Sequence, residues 1–166
     1  MFSFLKKHID GAIYLLIGPF AIMYLFPNFF IDLGFKLHII NFTSTFSHWL
    51  GIVFMNLGAL LAVVCTIIMY NTKKASPSPF SKPLRVVNIG PFKYVRHPMV
   101  WSINFVLLGQ ILVYGSPLLI VWFLIWLRFA HLYIERYEEP YLISVFGQDY
   151  VEYSKQTARW LPKFKK

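Results

Sequence analysis

From Trp49 to Tyr70 the chain carries no charge, and Asn56 and Thr66 are its only clearly polar residues. A helix needs about 20 such residues to cross the hydrocarbon core, and in lipid only a helix or a closed barrel can satisfy every backbone N–H and C=O. This run therefore predicts a membrane helix. Three more apolar stretches accompany it: about Ile9–Ile31, Pro98–Tyr114, and one that starts near Ser116-Pro117 and continues past Leu127. The third is short and carries Asn104 and Gln110. The fourth is uninterrupted only to Leu127 and then meets Arg128, His131 and Glu135. The chain is 57% hydrophobic and 14% charged, against about a quarter charged in soluble domains. The expected fold is all-α: a single polytopic membrane domain over residues 1–166 with about four transmembrane helices.

The connections add detail. Gly115-Ser116-Pro117 leaves room only for a tight turn, so the third and fourth spans should form an antiparallel hairpin. Pro27–Ser47, rich in Phe and Ile, is expected to lie in the interface or dip into the bilayer. Ala75–Pro83 is a proline-rich loop, since proline removes a donor and blocks the preceding turn. Phe146, Tyr150, Tyr153 and Trp160 fall at roughly helical spacing beside Lys155, Arg159 and Lys163, which suits a helix lying on the cytoplasmic face.

Charge fixes the expected orientation. Lysine and arginine number two before the first span, one in the first loop, six in the second, none in the third turn and seven from Arg128 onward. This alternation puts both termini in the cytoplasm. The net charge of +9 is interleaved with apolar spans, so it reads as a topology signal and as contact with anionic lipid, with no nucleic-acid partner. The single cysteine, Cys65, excludes an internal disulfide, and no metal site is expected. Lys6 and Lys7 precede Ala12–Phe26 as in a signal peptide, but no small-residue cleavage site follows. The segment reads as a retained helix, and the missing targeting peptide favours a prokaryotic inner membrane.

Two constellations can carry chemistry. Steps of three and four put Arg128, His131, Glu135 and Glu138 or Glu139 on one helical face. Arg128, eleven residues past Pro117, lies about 16 Å along that helix, near mid-bilayer if the turn sits at the far surface. Charge at that depth normally lines a cavity, although a short span with a solvated extension would account for the same pattern. The second constellation is Arg96-His97-Pro98. Pro98 fits the first turn of the third span, and Arg96 and His97 would then sit at a helix N-terminus that favours an anion, or simply flank the span as positive-inside anchors.

The ordered motifs Val86-Val87-Asn88-x-Gly90-Pro91-Phe92-x-Tyr94-x-Arg96-His97-Pro98-Met99, Glu138-Glu139-x-x-Leu142, Phe146-Gly147-x-x-Tyr150-x-x-Tyr153 and Arg159-Trp160-Leu161-Pro162 resemble the isoprenylcysteine carboxyl methyltransferase and phospholipid methyltransferase superfamily. The resemblance covers about residues 73–164. It implies an integral membrane enzyme that uses S-adenosylmethionine. It also implies a lipophilic methyl acceptor, such as a lipid amine, carboxylate or thiol, reached from the bilayer among membrane lipids. It nominates Arg96, His97, Pro98, Glu138 and Glu139 as the cofactor frame. The sulfonium is cationic, and an aromatic face such as Tyr94 or Trp101 would suit it. If the acceptor is an amine or thiol, Glu139 or His131 would serve as base, with Arg128 on the same helical face; a carboxylate acceptor needs none. Val100 and Ser102 stand where members of the superfamily usually carry an aromatic residue and a glycine. They favour the alternative, a non-catalytic membrane protein that binds a lipid or cofactor in a degenerate site. Ile134 stands where prenylcysteine enzymes carry an arginine, so prenylcysteine specificity is not implied.

Overall fold

A proline inside a helix leaves one carbonyl without its donor, and Pro27 and Pro140 both fall within long apolar helices. The computed structural model describes residues 18–73 and 86–162. The start of the first apolar stretch (9–17), the proline-rich loop (75–83) and Lys163 lie outside the described residues. The elements are α1 (Phe26–Lys36), α2 (Thr45–Lys73), α3 (Pro98–Tyr114), α4 (Pro117–Tyr133), α5 (Glu139–Phe146) and α6 (Gln148–Gln156), with a 3₁₀ turn at Gly90–Lys93. Wide π-turns at Ala21–Leu25 and Ile134–Glu138 lead into α1 and α5. Three continuous helices, Gly18–Lys36, Thr45–Thr72 and Pro117–Phe146, are long and apolar enough to cross a membrane, and the 17-residue α3 is a shorter apolar helix. The chain is thus an all-α polytopic membrane protein, as expected.

One boundary differs from the sequence reading. The first helix does not stop at Ile31; it runs through Pro27 to Lys36. The π-turn makes this possible. The Phe26 N–H reaches back five residues to Ala21 O, which leaves Ile22 O without its usual donor, and Pro27 has no N–H to offer Met23 O. Trp122 Nε1 donates to Ile22 O at 3.2 Å and Gln110 Nε2 donates to Met23 O at 2.7 Å. Side chains from α4 and α3 therefore replace two lost helical donors, where an unsatisfied carbonyl in hydrocarbon would cost several kcal/mol. The last long helix continues past Leu127, as expected, through Arg128 and His131 to Phe146.

The chain divides into two compact units. The first comprises residues 17–62 and 100–131. Its core is Leu107, Trp122, Trp126 and Ala130, with Ile22, Phe30, Val100, Ile103 and Phe123 packed around them. Phe26 and Phe30 stack on Trp122 at 4.6 and 5.7 Å between ring centroids. Asn104 Oδ1 accepts from Trp126 Nε1 at 3.0 Å, so Asn104 and Gln110 both serve helix-to-helix hydrogen bonding. Glycines let α2 approach α3: a Cβ on Gly51 would stand 2.5 Å from Gly109 O, and one on Gly58 2.6 Å from Ser102 O. Ser102 is itself buried, and its carbonyl packs against that glycine. At the α3–α4 hairpin Gly115 has φ +60°, and Phe42 O fills the place a side chain would need. The Phe42 N–H closes the contact on Gly115 O at 2.9 Å. The second unit includes residues 63–99 and 132–166 and holds the candidate site within its described part.

Candidate functional site

Two segments about forty residues apart in sequence meet in the second unit. One begins at Gly90, where φ is +57° and Ile68 of α2 occupies the space of a would-be Cβ. The 3₁₀ turn that follows buries Phe92, whose carbonyl accepts the Tyr153 hydroxyl at 2.6 Å. The chain then extends to His97. Val95 bridges Ala158 in parallel, and the Arg96 N–H donates to Ala158 O at 2.9 Å. Buried Pro98 opens α3, as its fixed φ and missing donor favour.

The other segment is the π-turn ahead of Pro140. In an α-helix Ile134 would share its face with residue 138. The Glu139 N–H instead donates to Ile134 O, five residues back, and it is Glu139 that is buried, at 7% exposure, beside Ile134 at 1%. The wide turn swaps the two glutamates. Glu139 points inward, while the Glu138 side chain stays 37% exposed.

Glu139 gathers the cations. Arg96 Nη1 lies 2.8 Å from its Oε1. Arg159 grips both oxygens as a fork, Nε to Oε1 at 3.0 Å and Nη2 to Oε2 at 2.6 Å. Arg159 Nη1 also donates to Glu135 at 3.2 Å. Forked guanidinium–carboxylate pairs combine strength with fixed orientation. His97, 5% exposed, sits between the pair, with Nδ1 3.5 Å from Glu138 and Nε2 3.4 Å from Glu139. Burial pushes its pKa down, but the hydrogen bonds and charges of Glu138 and Glu139 outweigh burial and raise it. The hydrogen bonds that Arg159 donates to Glu139 raise the Arg159 pKa further. Burial, aided by the charge of Glu139, pushes the Tyr150 hydroxyl up to about 12.

Beside this network lies a cleft of about 90 Å³. Met69, Val86, Val87, Leu142 and Phe146 make its apolar wall, and Phe92 and Tyr153 close it. Arg96, His97, Glu138 and Tyr150 supply its polar side. Two buried polar atoms there, Arg96 Nε and the Tyr150 hydroxyl, lack a hydrogen-bond partner. They lie near one another, but not with the geometry of a hydrogen bond. A larger depression of about 450 Å³ lies against Thr43, Ser44, Thr45 and His48, but it is open and gathers no charged groups.

The structure brings together Arg96, His97, Pro98, Glu138 and Glu139, but it gives the two glutamates different places. Tyr94 is 60% exposed and does not line the cleft. Trp101 is half-buried, packs on Phe105 at 6.0 Å, and is also absent from the lining. Arg128 is exposed and His131 half-buried; both belong to the first unit, and neither lines the cleft. The single helical face expected from Arg128 to Glu139 is interrupted by the π-turn, which breaks the three-and-four spacing. Three residues of the site were not nominated by the sequence reading: Tyr150, Tyr153 and Arg159. Their signal was present in the spaced tyrosines and in the Arg159-Trp160-Leu161-Pro162 motif. Among the described residues no cluster of His, Cys, Asp and Glu could hold a metal ion.

No curated protein and no solved structure matches the chain. The family model for phospholipid methyltransferase matches residues 46–149, well over half of the chain. The match runs from α2 into α6 and contains the Arg96-His97-Pro98 and Glu138-Glu139 motifs, while Arg159 lies beyond it. With its membrane-length helices and this site, the chain belongs to the phospholipid methyltransferase family, an integral membrane methyltransferase type.

Proposed function

We propose that the protein transfers a methyl group from S-adenosylmethionine to a lipophilic acceptor that reaches the site from the bilayer. One observation carries this reading. Arg96, His97, Glu138 and Tyr150 converge on a cleft whose other walls are largely apolar. The donor set fits the cofactor's amino-acid end: the unpartnered Arg96 Nε and Tyr150 hydroxyl can meet a carboxylate, and Glu138 can meet an ammonium or a sugar hydroxyl. The cleft is smaller than a site for a whole drug-sized ligand, so the described walls hold one end of the molecule. When bound, the cofactor supplies a methyl group on a cationic sulfonium, and the acceptor's lone pair bonds to that carbon as the carbon–sulfur pair returns to sulfur. The protein's own part is alignment and exclusion of water.

Glu139 is poorly placed as a base, because both of its oxygens already carry cationic partners. Glu138 is the acidic group on the cleft and can take a proton from an amine or thiol acceptor; a carboxylate acceptor needs no base. The lysine and arginine distribution supports cytoplasmic placement of both termini and of the Asn71–Arg96 loop. The engagement of Glu139, together with Val100 and Ser102, favours the second reading, a binder without turnover. Incubation of the purified protein with methyl-labelled S-adenosylmethionine and a lipid extract separates the two. Label in the lipid fraction is expected, and cofactor binding without any transfer would leave only the binder.

A further inference from the structure

Arg159 stands outside the family match, yet it makes the closest contact in the network. Its place is fixed by backbone: the Val95–Ala158 bridge and the bond from Arg96 N–H to Ala158 O hold the segment after Thr157 alongside the Arg96 strand. From there the Arg159 fork occupies Glu139 Oε2 and shares Oε1. Arg96 is left to meet Glu139 through Nη1 alone, and its buried Nε keeps no partner, while the residue lines the cleft. If the fork were removed, Glu139 would have two oxygens to offer. A guanidinium beside a free carboxylate pairs with it in two-pronged fashion. Arg96 would then be drawn into that pair and away from the cleft.

We propose that Arg159 is a positioning residue that, by saturating Glu139, keeps the Arg96 guanidinium available to the carboxylate of the ligand in the cleft. Arg159 touches no reacting atom in this scheme; it selects for a ligand that carries a carboxylate. The inference rests on the cofactor reading above.

The test uses the full-length protein in detergent and two ligands that differ in one group, S-adenosylmethionine and its decarboxylated analogue, titrated by calorimetry. Wild type should bind the first more tightly. Arg159→Gln should weaken S-adenosylmethionine about tenfold and leave the decarboxylated analogue within about twofold. Arg159→Lys, which keeps the charge but not the fork, should recover part of the loss and covers the case in which Arg159→Gln does not fold. In a Glu139→Gln background the Arg159→Gln change should add nothing, because its route is gone. Equal weakening of both ligands, no weakening of either, or an undiminished effect without Glu139 would overturn the positioning role. If wild type binds neither ligand, the cofactor reading itself falls, and that result is distinct from all of these.

Discussion

Glu138→Gln and Glu139→Gln should separate stability from binding, although the two residues are adjacent. Glu139 is 7% exposed and has contacts at 2.6, 2.8 and 3.0 Å to two guanidinium groups and a longer one to His97. Neutralising it leaves Arg96, whose side chain is only 13% exposed, facing an amide that accepts through one atom and repels through the other. Removing one partner of a buried ion pair costs about 3–5 kcal/mol. Arg159 is a quarter exposed and recovers part of its hydration, which brings the expectation to about 2–4 kcal/mol. Glu138 has a side chain 37% exposed and a single 3.5 Å contact to His97, so its neutralisation should cost less than about 1 kcal/mol. In thermal unfolding in detergent at one scan rate, Glu139→Gln should lower the midpoint by several degrees and Glu138→Gln by little. In calorimetric titration with S-adenosylmethionine, Glu138→Gln should still lose about tenfold in affinity, since it removes a charged partner on the cleft wall. Equal destabilisation by both changes, or a Glu138→Gln protein with wild-type affinity, would refute the division of roles.

Three further outcomes can be checked on the same preparation. Gln110→Leu leaves Met23 O without a donor in an apolar surrounding and should destabilise by about 1–3 kcal/mol, seen as a lower unfolding midpoint. Tyr150→Phe removes a buried hydroxyl that has no partner, so the ligand-free protein should be as stable as wild type or slightly more stable, while affinity for S-adenosylmethionine drops. The His97 pKa lies above its ordinary 6.5 in a setting of Glu138, Glu139, Arg96, Arg159 and Tyr150, so the folded state holds a proton that the unfolded state releases. Its stabilisation is complete below pH 6.5 and is lost as pH rises through the elevated value; His97→Gln should flatten that decline, and an unchanged slope would remove His97 as its source.

Much of the fold is legible in the sequence because lipid leaves the backbone few options. An uncharged run from Trp49 to Tyr70 and a three-residue turn at Gly115 specify a helix and a hairpin without reference to anything else in the chain. The span boundaries were less legible. The first span is read as ending near Ile31, soon after Pro27, which takes a donor out of the four-residue register. Whether the proline stops the helix depends on donors elsewhere, and here Gln110 and Trp122, about a hundred residues away, supply them. The packing glycines have the same character. Gly51 and Gly58 matter because Gly109 and Ser102 face them, and spacing within one helix does not reveal the partner.

The candidate site divides along a similar line. Arg96, His97, Glu138 and Glu139 are ionisable groups at the ends of apolar spans, and the desolvation cost of charge makes such positions conspicuous. Which glutamate turns inward is decided by the π-turn, and its sequence cue is the proline that follows directly, Glu139-Pro140, just as Phe26-Pro27 follows the other π-turn. In both places the residue before proline donates five residues back and the register slips by one. At Pro27 the slip exposes carbonyls that side chains then recapture. At Pro140 it exchanges two neighbouring carboxylates, one for the cation network and one for the cleft. A strict α-register through Glu138-Glu139 would bury the first and free the second, so the proline after the pair, rather than the pair itself, assigns their roles.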